Sequence, residues 1–137
     1  MKEIIVVSAC LCGIRSRYDG KSKYVEDIMK LVDKGEAIPL CPEMLGGLPV
    51  PRPKATIMDG RVVNEHGEDV TEEFKRGAER FVCIVEKLGI KRVIMKDGSP
   101  SCGVKYTNKN WKKIEGSGIT TSLLKERIKD IRIDFIP

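Results

Sequence analysis

Histidine is almost missing from this chain: His66 is the single one in 137 residues. That scarcity removes the common zinc sites that need two imidazoles. Aromatic residues make up only 5% of the composition, so no base-stacking platform for a nucleic acid stands out. Apolar runs such as Ile4-Ile5-Val6-Val7 fall far below the roughly 20 residues of a membrane-spanning helix. Met1-Lys2-Glu3 leads straight into that strand-like run without a secretory pattern, and a cytosolic protein with no membrane partner is expected. Internal repeats and low-complexity segments are lacking too.

What is present suits one soluble unit. With 41% hydrophobic and 33% charged residues, the chain is read as a single α/β domain over residues 1–137. Its net charge of +5 is able to draw in an anionic substrate or to bind nucleic acid weakly. The basic residues are interleaved with acids, as in Lys125-Glu126-Arg127, which is the pattern of a solvated surface. Nucleic acid is therefore a permitted partner that nothing here indicates. No feature sets an oligomeric state.

Five cysteines are an odd number in a chain with no export pattern, so a disulfide framework is not expected. Metal binding, catalysis or plain packing remains for each.

Glu3 to Ala9 reads as a buried strand ending in the loop Cys10-Leu11-Cys12-Gly13. Residues 22–34 read as a helix with Val25, Ile28, Met29 and Val32 on one stripe, closed by Gly35. Ala37 to Leu40 is a second strand, leading into Cys41-Pro42-Glu43. Gly46 to Pro53 is too rich in Gly and Pro for regular structure, and long loops in small domains are often functional. Asp59-Gly60, between Thr56-Ile57-Met58 and Arg61-Val62-Val63, signals a hairpin. Thr71 is expected to cap a helix running to Leu88, with Phe74, Ala78, Phe81, Val82, Val85 and Leu88 on its apolar face. Lys91 to Met95 is a third core strand, followed by a loop through Cys102-Gly103. A hinge at Gly116-Ser117-Gly118, a helix to about Glu126 and a last strand at Ile131 to Phe135 complete the chain.

Strand–helix–strand alternation argues for a parallel sheet with helices on its faces. Ligands of such sheets sit beyond the carboxyl ends of the strands. Each of the first three core strands is followed by a loop that carries a cysteine: Cys10, Cys41 and Cys102. If the strands are parallel neighbours, the three thiols converge and suit a soft metal or an iron–sulfur cluster. Three small apolar residues packing at strand ends is the plainer alternative. Cys12 is a substitute ligand for the first loop, whereas Cys83 falls opposite the apolar stripe of its helix and is a bystander. Glu43, two residues past Cys41, is placed to serve as a general acid or base. Ser99 and Ser101 flank Pro100 beside Cys102, and their hydroxyls can hydrogen-bond a sulfide or a substrate oxygen, or simply shape a turn. Arg15, Arg17, Tyr18 and Asp19 are either polar contacts for a heterocycle or a solvated turn, and His66 is given no role.

Six ordered motifs now stand together: Ser8-Ala9-Cys10-Leu11-Cys12-Gly13, Arg17-Tyr18-Asp19-Gly20, Cys41-Pro42-Glu43, Gly46-Gly47-Leu48-Pro49-Val50-Pro51-Arg52, Gly67-Glu68-Asp69-Val70-Thr71 and Ser99-Pro100-Ser101-Cys102-Gly103. Over nearly the whole chain they resemble the DUF523 family, which includes the thiouracil desulfurases. The resemblance implies a Rossmann-like three-layer sandwich around a small, mostly parallel sheet. It implies a [4Fe–4S] cluster held by Cys10, Cys41 and Cys102, and a non-redox loss of sulfur from a thiolated nucleobase such as 2-thiouracil. Glu43 would then be the acid/base, with a serine of the Ser99–Cys102 loop as its partner. Two other readings stay open: a thiol-based redox or sulfur-transfer enzyme, and a non-catalytic metal-binding module.

Overall fold

A computed structural model describes residues 3–137. In chain order its elements are β1 (Ile5–Ser8), α1 (Glu26–Asp33), β2 (Ala37–Leu40), α2 (Pro42–Leu45), β3 (Ala55–Met58), β4 (Arg61–Asn64), α3 (Thr71–Lys87), β5 (Arg92–Lys96), β6 (Tyr106–Lys109), β7 (Lys112–Glu115), α4 (Ile119–Arg127) and β8 (Arg132–Ile136). Among the described residues no helix is long and apolar enough to cross a membrane.

One sheet has the strand order β2-β1-β5-β8 and is parallel throughout. Its centre, β1, is buried at all four residues, as a strand covered on both faces must be. Alternate residues face opposite ways. Val6, Val93 and Met95 pack with Phe81, Val82 and Val85 of α3 and Leu124 of α4. Ile5, Val7 and Ile94 pack on the other face with Ile28 of α1. The result is the expected three-layer α/β sandwich. Pro39 sits in β2, an edge strand, where the absence of its N–H is tolerated. From β1 the chain crosses to β2 on one side, then returns to place β5 on the other. The carboxyl ends of β1 and β5 therefore flank a topological switch point, where α/β sheets hold ligands.

The second sheet, in the order β4-β3-β6-β7, joins two antiparallel hairpins through a parallel contact of β3 with β6 at Ile57 and Lys109. Asp59 (φ 51°) and Gly60 (φ 75°) make the anticipated turn between β3 and β4. The β6–β7 hairpin was not anticipated. Its sequence, Tyr106-Thr107-Asn108-Lys109 and Lys112-Lys113-Ile114-Glu115, has no apolar alternation, because only Thr107 among these residues is buried.

Several local expectations are corrected. The Cys10–Cys12 segment is a turn of 3-10 helix (Ala9–Cys12) rather than a loop, and α1 begins at Glu26 rather than near residue 22. Thr71 is the first helical residue instead of the cap. Its N–H goes to Asp69 Oδ1 at 2.9 Å, and its hydroxyl accepts the Val62 N–H of β4 at 2.8 Å, so tertiary bonding claims the side chain. Leu88, expected on the apolar face, lies just past the last residue of α3 and is 56% exposed.

The four-residue α2 is too short to stand by itself. Arg76 and Arg80 of α3 donate to its terminal carbonyls, Gly46 O at 3.0 Å and Leu45 O at 2.7 Å. Two glycines let the helices touch: a Cβ on Gly77 would lie 1.9 Å from Pro42 O, and one on Gly46 2.0 Å from Glu73 O. Gly77→Ala is expected to cost about 2–4 kcal/mol in urea unfolding, because a rigid backbone has to move.

Candidate active site

A cavity of about 560 Å³ lies beyond the carboxyl ends of β1, β2 and β5. That is the size range of pockets for small organic ligands. Cys10, Cys41 and Cys102 all line it, one from each of the three strands. The second sheet supplies the facing wall through Ala55, Asn64, Asn108 and Lys113.

Each cysteine is fixed by its own local bonding. Cys10 lies in the 3-10 turn, and its carbonyl accepts the Lys23 N–H at 2.9 Å. Cys41 precedes α2 in extended conformation, and its thiol points to Ser16 O at 3.8 Å. Around Cys102 the turn is built by two acceptors. Ser99 Oγ takes the N–H groups of Cys102 (2.7 Å) and Ser101 (3.2 Å). Buried Asp97 takes those of Val104 (2.7 Å), Lys105 (3.1 Å) and Tyr106 (3.1 Å) on a single oxygen. A buried carboxylate is stable only with such compensation. Thr121 of α4 donates to Cys102 O at 3.2 Å, tying the turn to the helix layer.

Glu43 stands in the first turn of α2 and forms a largely buried pair with Arg52. Arg52 Nε donates to Glu43 Oε2 at 2.9 Å and Nη2 donates to the same oxygen. Glu43 Oε1 has no protein hydrogen bond among the described residues. Arg52 also donates to Ser16 O at 2.9 Å and Pro49 O at 3.2 Å. One guanidinium thus ties the segment after Cys10, the helix after Cys41 and the Gly/Pro-rich loop.

Burial and mutual proximity favour the protonated form of the thiols. Burial, then the neighbouring Cys41, pushes Cys10 up from 9.0 to about 11. Burial and then Glu43 raise Cys41; burial, Cys41 and Glu43, with Cys10 adding less, raise Cys102 well above its ordinary value. These mutual effects arise because the three sulfurs and Glu43 share one space. Lys96 lines the same cavity; burial lowers its pKa, and the neighbouring Cys10 opposes that shift. Among the described residues no three His, Cys, Asp or Glu side chains form a ready-made site for one metal ion. All three thiols lie on the wall of the same cavity.

The sequence-derived candidates divide clearly. Cys10, Cys41, Cys102, Glu43 and Ser99 line the cavity, as do Arg17 and Tyr18. Ser101 does not: it is turned into the core, sharing a 2.8 Å hydrogen bond with Thr120. Its expected catalytic place is corrected to a packing role between the Cys102 turn and α4. Cys12 is buried against the α1 side of the sheet, outside the cavity wall. Cys83 is exposed on α3, and His66 is exposed in the turn after β4. Arg52, Lys96 and Asp97 were missed. Arg52 was visible only as part of a Gly/Pro-rich motif, and Lys96-Asp97 only as the start of the loop after the third core strand.

A thiol with a raised native pKa binds its proton more tightly when folded, so its contribution to stability is present below pH 9 and lost as pH rises toward 11. The urea midpoint of the metal-free protein is expected to fall across that window, and Cys10→Ala to make the fall shallower.

The family described as 2-thiouracil desulfurase matches residues 5–134. YbbK of Bacillus subtilis (strain 168) is 40% identical, with 90% of each chain covered. A solved structure of the [4Fe-4S]-dependent thiouracil desulfidase TudS (DUF523Vcz) is 42% identical; the match covers 98% of this chain and 91% of that one, with a TM-score of 0.90. From strand β1 to strand β8, this chain belongs to the 2-thiouracil desulfurase (DUF523) family.

Proposed function

We propose that the protein is an iron–sulfur-dependent desulfurase that exchanges the sulfur of a thiolated pyrimidine, such as 2-thiouracil, for oxygen from water. The observation that carries this reading is the meeting of three thiols and one oriented carboxylate on the wall of a single cavity at the switch point. Its support from relatives is the 42% identity to TudS across nearly the whole chain. The net change is C=S plus water giving C=O plus hydrogen sulfide, with no electrons transferred.

The donor set suits a [4Fe–4S] cluster. Cys10, Cys41 and Cys102 are soft ligands on the wall of one cavity, and no imidazole lines it. Held by the thiolates of Cys10, Cys41 and Cys102, such a group would supply a thiophilic Lewis acid for the thiocarbonyl sulfur. Loading deprotonates the thiols, so it strengthens as pH rises.

The rest is done by the chain's own residues. Arg52 holds Glu43 by one oxygen and leaves Oε1 to take a proton from water and return it to the leaving sulfur. Ser99 keeps its hydroxyl proton unassigned among the described residues while accepting two backbone N–H groups, so it can donate to a substrate heteroatom. Arg17, Lys96 and Arg52 balance the negative charge of the occupied site. A cytosolic setting suits thiols that must stay reduced.

Anaerobic reconstitution with iron and sulfide is expected to give about four irons per chain and release of sulfide from 2-thiouracil. Cys41→Ala is expected to abolish iron retention, whereas Cys83→Ala leaves it intact. Retention of zinc in place of iron would return the metal-binding module to the front. Glu43→Gln should keep the iron and its visible absorbance while turnover drops by about 100-fold or more. Full activity in that variant removes Glu43 from the mechanism.

A further inference from the structure

Residues 98–114 contain four lysines, Lys105, Lys109, Lys112 and Lys113, and no acid. The fold turns this stretch into the β6–β7 hairpin at the edge of the second sheet, with β7 exposed along its whole length. Register sets Lys109 directly opposite Lys112, a like-charge pair that destabilises a hairpin by itself. None of the four lysines forms an ion pair with a described residue. Lys105 and Lys113 instead lie over the Tyr106 ring, at 5.4 and 4.8 Å from its centroid.

At the tip stands Trp111, 43% exposed, with its backbone at φ 64°. A bulky residue in the left-handed region has to be held there. Its N–H donates to Thr56 Oγ1 at 3.0 Å, and the Thr56 hydroxyl donates to Asn108 Oδ1 at 2.6 Å. The Asn110 N–H is bonded to Ile57 O at 2.9 Å. The indole is thus presented to solvent from a fixed support. The same hairpin reaches the cavity, where Asn108 and its cross-strand partner Lys113 form part of the wall. Lysines on an open edge also deter pairing with a foreign strand. That function accounts neither for a partly exposed tryptophan on a hydrogen-bonded tip nor for the hairpin's continuity with the cavity.

We propose that the β6–β7 hairpin is an oligonucleotide-binding arm, which holds the single-stranded RNA flanking a thiolated pyrimidine while that base enters the cavity. A neighbouring base stacks on Trp111, and flanking phosphates lie along Lys109, Lys112 and Lys113. Single-stranded RNA can splay a base out at low cost, aromatic platforms stack bases of any sequence, and lysines supply the salt-sensitive part of the affinity. The identity of the base rests on the desulfurase reading; binding of the strand rests on the hairpin alone.

Trp111 is the sole tryptophan of the chain, so its fluorescence reports stacking at this tip without any label. The iron-loaded protein is titrated anaerobically with an oligouridylate of about eight nucleotides at about 50 mM salt, against uridine and polyglutamate. The expected result is saturable quenching by the oligomer alone. Lys109→Glu/Lys112→Glu should weaken binding by about tenfold or more and lower the log–log salt slope by about 1.4. Followed by anisotropy of labelled oligomer, Trp111→Ala should weaken binding by about fivefold or more. Circular dichroism and release of sulfide from free 2-thiouracil are measured on each variant and are expected to match the parent, since these side chains lie outside the cavity wall. Absence of quenching, equal response to polyglutamate, or insensitivity to the charge reversal overturns the arm. Loss of thiouracil turnover in the parent protein strikes the desulfurase reading only and leaves the oligonucleotide titration standing.

Discussion

Because β2, β1 and β5 lie side by side and run parallel, their carboxyl ends reach one rim of the sheet, and whatever follows them in sequence is forced together. Cys10 and Cys41 stand two and one residues beyond paired strand ends, Ser8 and Leu40. Cys102 comes later, six residues after Lys96, and needs its turn folded back. Asp97 and Ser99 do this with five backbone N–H groups between them. Antiparallel pairing, or a register in which β5 was not the neighbour of β1, would scatter the thiols to different ends of the molecule.

A second layer of constraint sits on Arg52. Its guanidinium is bonded to Glu43, Ser16 O and Pro49 O, and its backbone N–H goes to Tyr18 O at 2.8 Å. The irregular loop around it has no sheet or helix to satisfy its polar groups, and this one side chain supplies much of what is missing. The arrangement makes the loop part of the site wall. It also places positive charge against the carboxylate and the thiols, where burial alone would oppose ionisation. The close contact of α2 with α3 serves the same end, since α2 carries Glu43.

Legibility in the sequence followed burial. β1, β2, α3, β5 and α4 were anticipated to within a few residues, because each puts a periodic apolar pattern into the core. The β6–β7 hairpin was not, because its polar residues are held by register and by bonds to β3 rather than by an apolar face. The cysteines were legible by their repeated place after strands. Ser101 was misassigned since its distance from Cys102 along the chain says nothing of the direction its hydroxyl takes.

By itself the sequence determined the α/β class, the positions of the core strands, and the coincidence of one cysteine with each of three strand ends. Local periodicity and turn chemistry are sufficient for these, as they act over a few residues. Only the tertiary structure decided that those strands are neighbours, that Arg52 meets Glu43, that Ser99 rather than Ser101 faces the cavity, and that the lysine-rich hairpin with Trp111 adjoins it. Each of these depends on contacts between residues far apart in the chain, which the packing of two sheets and their helices sets and no short stretch of sequence encodes.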